Sequence, residues 1–335
     1  MFMKSALILL SAIVGIPASA GSVQNYSDLS VMAYNVHGLP WPIAQGRSQA
    51  LRAIGARLAE MRLHAEQPHV VLLQEAFSGD AKSIAVEAKY PFVVSGPGRD
   101  DRFAPSPSAA ERWFTRADRP LRGEGDGKFE DSGLLVLSDY PILDVKRAPF
   151  AQYACAGFDC LANKGIVLVR VEVPGAAQPI TLIDTHMNSR GASGVAHLRA
   201  DIAYGWQAEQ LRAFVAGNVP SDVPAIVAGD FNIGKIAYRR AMIMGGGTIL
   251  PGAGDALHEA LENGLAAGDQ SAAREIVSHG KDWMFARSGG LTKLTLESVA
   301  VPFGVSSKGK SLSDHFGYVA HYRISKYPIA SPALR

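Results

Sequence analysis

The sequence predicts an α/β fold in which two β-sheets pack as a sandwich flanked by helices. Three observations predict it. Short runs rich in Val, Ile and aromatics, bounded by Gly, Pro, Asn and Asp, recur along the chain and read as strands. Two longer stretches carry apolar residues at helical spacing. The strands outnumber the helices and come in groups separated by them, an order that suits a sandwich better than an all-parallel sheet.

The chain opens on a leader. Lys4 precedes an apolar run from Ala6 to Ile16, followed by Ala18-Ser19-Ala20. A short positive region, an apolar core of this length and a small-x-small ending describe a secretory signal peptide. The run is shorter than the roughly 20 residues that span a bilayer. Residues 1–20 are therefore read as a signal peptide and residues 21–335 as one catalytic domain, secreted or periplasmic.

Strands are expected at Leu29 to Val36, Val70 to Gln74, Gly133 to Leu137, Ile166 to Val173 and Ile180 to Asp184. Others are expected at Val223 to Ala228, Trp283 to Ala286 and Phe316 to Tyr322. Leu51, Ile54, Leu58 and Met61 mark the first helix, which Pro68 follows. Leu198, Ile202, Trp206, Leu211, Phe214 and Val215 mark the second, which Pro220 follows. Residues 96–131 and 245–254 read as irregular loops, and loops of such length are usually functional or disordered.

Bulk properties exclude some classes. An apolar fraction of 47% and a charged fraction of 19% are ordinary for a globular chain. Net charge is only +2, and no concentrated basic stripe of the kind nucleic-acid binders carry stands out. No feature points to a protein partner. Cys155 and Cys160 form a close, even pair, which reads as one small disulfide loop in an oxidising compartment or else as two free thiols.

Chemistry gathers at strand ends. Asn35 ends the first strand, Glu75 follows the second, and His186 and Asn188 follow the fifth. Asp230 and Asn232 follow the sixth, and Asp282, Asp314 and His315 come late in the chain. Any one of these is ordinarily a solvated turn residue, so the inference rests on the set. Glu75, Asp230 and Asp314 offer hard carboxylate oxygens, and Asn35 and Asn232 offer amide oxygens, ligands that suit Mg²⁺, Mn²⁺ or Ca²⁺. His186 and His315 exchange protons near neutral pH. Together they make a kit for phosphoryl transfer.

Six motifs occur in one order: Tyr34-Asn35-Val36, Gln74-Glu75, Asp184-Thr185-His186, Gly229-Asp230-Phe231-Asn232, Asp282-Trp283 and Ser313-Asp314-His315. The chain resembles the endonuclease/exonuclease/phosphatase superfamily across nearly all of its mature length. That resemblance implies a four-layered α/β sandwich, two packed mixed β-sheets flanked by helices, with the site at the mouth between the sheets. It implies a Mg²⁺-dependent phosphodiesterase, with Mn²⁺ or Ca²⁺ as alternative ions. Glu75 would be the principal metal ligand with Asn35, and Asp314 a second acidic ligand or a partner of the metal's water. His315 would be the general base oriented by Asp282, Asp230 would align the water, Asn232 would hold a phosphate oxygen, and His186 would donate to the phosphate.

Asp131-Ser132-Gly133-Leu134 and Asn163-Lys164-Gly165 further resemble secreted bacterial neutral sphingomyelinases. The implied substrate is a phospholipid or sphingolipid phosphodiester, with Lys164 and Asn188 as substrate contacts and a possible peripheral membrane contact. Asn188 departs from the residue expected there. The bacterial sphingomyelinases carry an aromatic-tipped hairpin for membrane contact before the last Ser-Asp-His; here Leu291 to Lys310 could form a hairpin but departs from that pattern, offering only Phe303 as an aromatic. Trp41 and the Trp113-Phe114 pair are substitutes for that contact, or else packing residues. Nucleic acid is the alternative substrate, with the arginines between Arg99 and Arg122 lining a groove.

Overall fold

The computed structural model describes residues 27–40, 43–245, 248–268, 270–305, 309 and 311–327. The expected leader and Trp41 lie outside the described residues.

In chain order, β1 (Ser27–Asn35) leads into α1 (Arg47–Leu63), β2 (Val70–Gln74), α2 (Gly79–Glu87), β3 (Phe92–Ser95), α3 (Ala109–Arg116) and β4 (Leu135–Ser138). Then come β5 (Ile142–Pro149), β6 (Gly165–Val171), β7 (Ile180–His186), α4 (His197–Asn218), β8 (Ala225–Asp230) and α5 (Ala237–Met244). The chain closes with β9 (Gly254–Asp255), α6 (Ala256–Glu262), α7 (Gln270–His279), β10 (Asp282–Arg287), β11 (Thr292–Phe303) and β12 (Gly317–Lys326).

The strands form two six-stranded sheets, ordered β11-β12-β1-β2-β4-β3 and β5-β6-β7-β8-β10-β9. Each is mixed. β1 and β2 run parallel in the first, β7 and β8 in the second, and the other pairings are antiparallel.

Alternation along the strands builds the layers, because successive side chains point to opposite faces. Val31 and Ala33 of β1 face the core between the sheets, with Leu72, Val167, Val169, Leu182 and Ile226. Met32 and Tyr34 face outward, under Leu51, Ile54, Leu58 and Ile84 of α1 and α2. On the second sheet, Ile183 and Val227 lie under Tyr204, Ala208, Leu211 and Val215 of α4. Both faces of the central strands are therefore buried, and the four-layered sandwich follows.

Three expectations are corrected. The 96–131 stretch contains α3, which begins on a capping box: Ser108 accepts from the Glu111 amide while the Glu111 side chain reaches back to Ser108 N–H. Leu291 to Lys310 holds no separate hairpin among its described residues. Its main part is β11, which pairs with β12, and Phe303 is buried 5.1 Å from the Tyr34 ring. The α4 stripe is also shifted. Leu198 is exposed, and the buried face is built from Ala200, Ala203, Tyr204, Gln207, Ala208 and Leu211.

Candidate active site

Strand register assembles the site. β7 and β8 pair with His186 beside Asp230, and β8 and β10 pair with Asp230 opposite Asp282. In the other sheet Asn35 lies beside Gln74, the residue before Glu75. His315 lies two residues before β12, which runs antiparallel to β1. Two pairs of parallel strands that end together, β1 with β2 and β7 with β8, and two antiparallel strands that begin there, β10 and β12, thus deliver distant residues to one mouth.

Local backbone aims them. Gly229 has φ 138°, and a Cβ there would collide with the Thr185 carbonyl, so glycine lets β8 close on β7 just before Asp230. His37, Glu75 and Asn232 adopt left-handed φ of 50°, 56° and 49°. Such non-glycine outliers cost energy and gather at functional sites.

The side chains converge. Asn35 Nδ2 donates to Glu75 Oε1 at 3.0 Å and to Asp230 Oδ2 at 3.1 Å. His186 Nε2 lies 3.9 Å from Glu75 Oε1 and 3.5 Å from Asp230 Oδ2. His315 Nε2 lies 3.7 Å from Asp230 Oδ2. Asp282 holds the other His315 nitrogen, Nδ1, at 2.8 Å. Lys164 Nζ lies 3.0 Å from His186 Nε2 and 2.6 Å from Asp159 Oδ1. Asp230 is 1% exposed and His186 2%, so these charges interact with little solvent screening.

Burial pushes the Asp230 carboxyl up to about 6, against the pull of His315. Burial, reinforced by the Lys164 ammonium, pushes His186 well down, so its imidazole is neutral. Burial also opposes charge on His315, but the Asp282 and Asp230 carboxylates outweigh it and raise His315 to about 10. A histidine raised above its unfolded value of about 6.5 adds stability that is complete below that pH and lost as pH rises through the folded value. We therefore expect the metal-free protein, in chelator, to lose thermal stability between pH 6.5 and about 10. His315→Gln should flatten that decline; parallel melting curves for the two proteins would refute the assignment.

The site fits a divalent cation. Glu75, His186 and Asp230 each offer one ligand atom, all within 4.8 Å of one another, and Asp230, Asp282 and His315 form a second such group. Two carboxylates meeting in a buried place need a compensating positive charge, and hard oxygens favour Mg²⁺-like ions.

Other sequence-predicted residues fall differently. Asp314 is outside both groups; its half-exposed carboxylate pairs with His37 Nδ1 at 3.1 Å. Asn35 turns its NH₂ to the carboxylates and its Oδ1 accepts from His37 N–H, so it braces the ligands here instead of offering oxygen. Asn232 lines the cavity, while its Nδ2 donates to the Met187 carbonyl at 3.0 Å. Asn188 does not reach the cavity. It is buried, with Oδ1 accepting from Ala156 N–H and Nδ2 donating to the Ser189 carbonyl, so it ties loops together.

Sequence reasoning missed Asp159, which pairs with Lys164 and accepts from Ser189 N–H. Its signal was its place inside the cysteine pair, since Cys155 and Cys160 are disulfide-bonded with Cα atoms 5.2 Å apart. It also missed Gln74, whose Nε2 donates to Asp184 Oδ1 at 2.7 Å and ties β2 to β7 beneath the site.

The site opens into a cavity of about 750 Å³. Glu75, Lys164, His186, Asp230, Asn232, Asp314 and His315 line it with Leu39, Pro40, Ile43, Phe77, Phe158, Leu161 and Ile233.

A model of the endonuclease/exonuclease/phosphatase family matches residues 32–315. The chain belongs to this family. Its members are metal-dependent phosphodiester hydrolases, and the chain is an enzyme of that class.

Solved structures share the fold. A double mutant of beta toxin from Staphylococcus aureus with bound magnesium ions is 22% identical with a TM-score of 0.60, covering 88% of this chain and 99% of that one. Sphingomyelinase C from Streptomyces griseocarneus is 25% identical with a TM-score of 0.57, over 88% and 99%. D. rerio TDP2 complexed with single strand DNA product is 18% identical with a TM-score of 0.55, over 88% and 99%. None of the curated proteins compared matches the chain.

Proposed function

We propose that this enzyme is a secreted, Mg²⁺-dependent phospholipase C of the sphingomyelinase kind, releasing a phospho-headgroup. The observation that carries this reading is the cavity. Its floor is ionic and its walls are largely apolar, which suits a phosphodiester attached to a hydrocarbon body. The likeness to a sphingomyelinase C agrees with it.

Glu75 and Asp230 would hold the ion. When bound, Mg²⁺ supplies positive charge that offsets the phosphate's and favours attack by water. The protein does the rest. Asp282 fixes the His315 ring through Nδ1 and leaves Nε2 facing Asp230, placed to take a proton from water. Positive charge beside Asp230 weakens that carboxylate's upward pull on His315 and brings the imidazole toward the neutral form a base needs. Asp230 aligns the water and Asn232 holds a phosphate oxygen, while Asp314 stays paired with His37 at the mouth. Lys164 supplies positive potential next to His186, which donates to the phosphate as substrate displaces the lysine contact.

Membrane contact belongs to the cavity rim in this reading. Ile43 and Phe158 line the cavity and are 64% and 44% exposed. Two exposed apolar residues lie next to this rim: Leu121, 97% exposed, precedes Arg122, which covers the Phe158 ring, and Phe129, 63% exposed, donates its N–H to the carbonyl of cavity-lining Leu161. Apolar side chains ringing a lipid cavity, with arginine among them, suit a bilayer interface. Of the Trp113-Phe114 pair, Phe114 is core, edge-on to Trp206. The disulfide fits an oxidising compartment and so the secreted reading.

The nuclease reading has the TDP2 likeness in its favour but not the loop arginines. None of Arg99, Arg102, Arg112, Arg116, Arg119 and Arg122 lines the cavity, and Arg99 pairs with Asp100.

The test is a substrate panel: choline- and inositol-headgroup lipids in vesicles, plasmid DNA, and a soluble aryl phosphodiester, each with Mg²⁺ and with chelator. Headgroup release that chelator stops is expected, and plasmid cleavage without it would reverse the assignment. Leu121→Asp with Phe129→Asp should lower vesicle hydrolysis on the order of 10-fold while leaving the soluble diester unaffected. Equal rates on vesicles would remove the rim from the account.

A further inference from the structure

Arg239 heads the largest fully buried side chains of the described residues, and the chemistry above does not use it. It belongs to α5, outside the six sequence motifs. Taking a guanidinium out of water is costly and its hydrogen bonds must offset that cost; here Nε and Nη1 are met, while Nη2 has no hydrogen-bond partner among the described residues. Nε donates to Asp201 Oδ1 at 2.8 Å. Nη1 donates to two backbone carbonyls, Asn188 at 2.7 Å and Asn232 at 2.8 Å. The Tyr204 ring lies under it, 4.2 Å from the guanidinium carbon.

Those carbonyls are informative. Asn188 lies two residues after His186, and Asn232 two residues after Asp230. One nitrogen therefore bridges the two loops that leave β7 and β8. Met187 N–H donates to the Asp230 carbonyl, and Asn232 Nδ2 donates to the Met187 carbonyl, so the loops also meet directly. On the far side, Asp201 Oδ2 accepts from Arg190 Nε at 3.0 Å, and Arg190 lines the cavity. The chain Arg190–Asp201–Arg239 runs from the cavity wall to the backbone behind the site.

We propose that Arg239 is a positioning residue for the hydrolysis. It clamps the two loops so that His186 and Asp230 face one phosphate, and through Asp201 it holds Arg190 on the cavity wall. The planar fork meets the carboxylate through Nε and both carbonyls through Nη1; a lysine ammonium is one nitrogen on a shorter side chain and cannot stand at both places. The proposal rests on the site residues assigned above.

The experiment compares wild type with Arg239→Lys on a soluble phosphodiester and, separately, measures Mn²⁺ affinity by calorimetry. Outer residues that orient ligands are worth about 10–100-fold in activity or metal affinity. Arg239→Lys should lower kcat and weaken Mn²⁺ by about that factor, with KM changed far less. A folded Arg239→Lys protein with wild-type kcat and Mn²⁺ affinity, whatever its melting temperature, overturns the clamp. Should that variant not fold, Asp201→Asn decides. It leaves the guanidinium and both carbonyls in place but removes the carboxylate that aims it. A kcat loss on the order of 10-fold supports the clamp, and unchanged kcat and KM overturn it. A wild-type enzyme inert on every diester would sink the proposed function, while the Mn²⁺ arm would still judge Arg239.

Discussion

His315→Ala is expected to cut turnover by about 10²–10⁴-fold, the usual worth of a positioned proton-transfer group. The reason is geometric. His315 has one nitrogen held by Asp282 at 2.8 Å and the other aimed at Asp230 from 3.7 Å, in a buried place. No other described imidazole is so placed: His186 Nε2 faces Lys164, and His37 pairs with Asp314 near solvent. The loss should fall on kcat, since in the proposed mechanism the ring acts on water and leaves the rest of the substrate untouched. Asp282→Asn should act in the same direction with a smaller effect, because the ring loses its orienting charge but keeps its place. Single-turnover rates on a soluble diester are the measurement. A His315→Ala enzyme within a few-fold of wild type would remove the base from the mechanism.

Glu75→Gln carries the second large effect. The substitution preserves shape and the hydrogen bond from Asn35, so folding should survive. It removes one of two carboxylates from the only described group that combines Glu75, His186 and Asp230. Mn²⁺ or Mg²⁺ affinity should fall more than 100-fold, beyond the roughly 10–100-fold that outer partners command. Activity at low Mg²⁺ should collapse and recover partly as Mg²⁺ is raised. Unchanged affinity by calorimetry would move the cation elsewhere.

The sequence made the centre of the molecule legible and hid its periphery. β1, β2, β6, β7 and β8 are buried at nearly every position on both faces, so they read as mainly apolar runs. β3 and β5 are edge strands. β3 is apolar but only four residues long, Phe92–Ser95, too short to stand out, and β5 carries Asp144, Lys146 and Arg147, which interrupt its pattern. α4 misled for a different reason: much of its buried face is alanine, which periodicity in large apolar residues does not register.

The same logic applies to the site. Glu75, His186, Asp230 and His315 were visible because strand ends beside apolar runs can be found without coordinates. Asn188 was visible for that reason too and proved to be a loop tie. Asp159 had only its place inside the cysteine pair to mark it, and Asp201 and Arg239 were invisible. Arg239 acts through partners that chain order does not bring together, the Asp201 carboxylate and the Asn188 and Asn232 carbonyls.

The most direct measurement is the anomalous scattering of a crystal soaked in Mn²⁺. A single strong peak in contact with the Glu75 and Asp230 carboxylates, with His186 and His315 around it, is the expected result. A peak bound by other residues, or none between those two carboxylates, would contradict it.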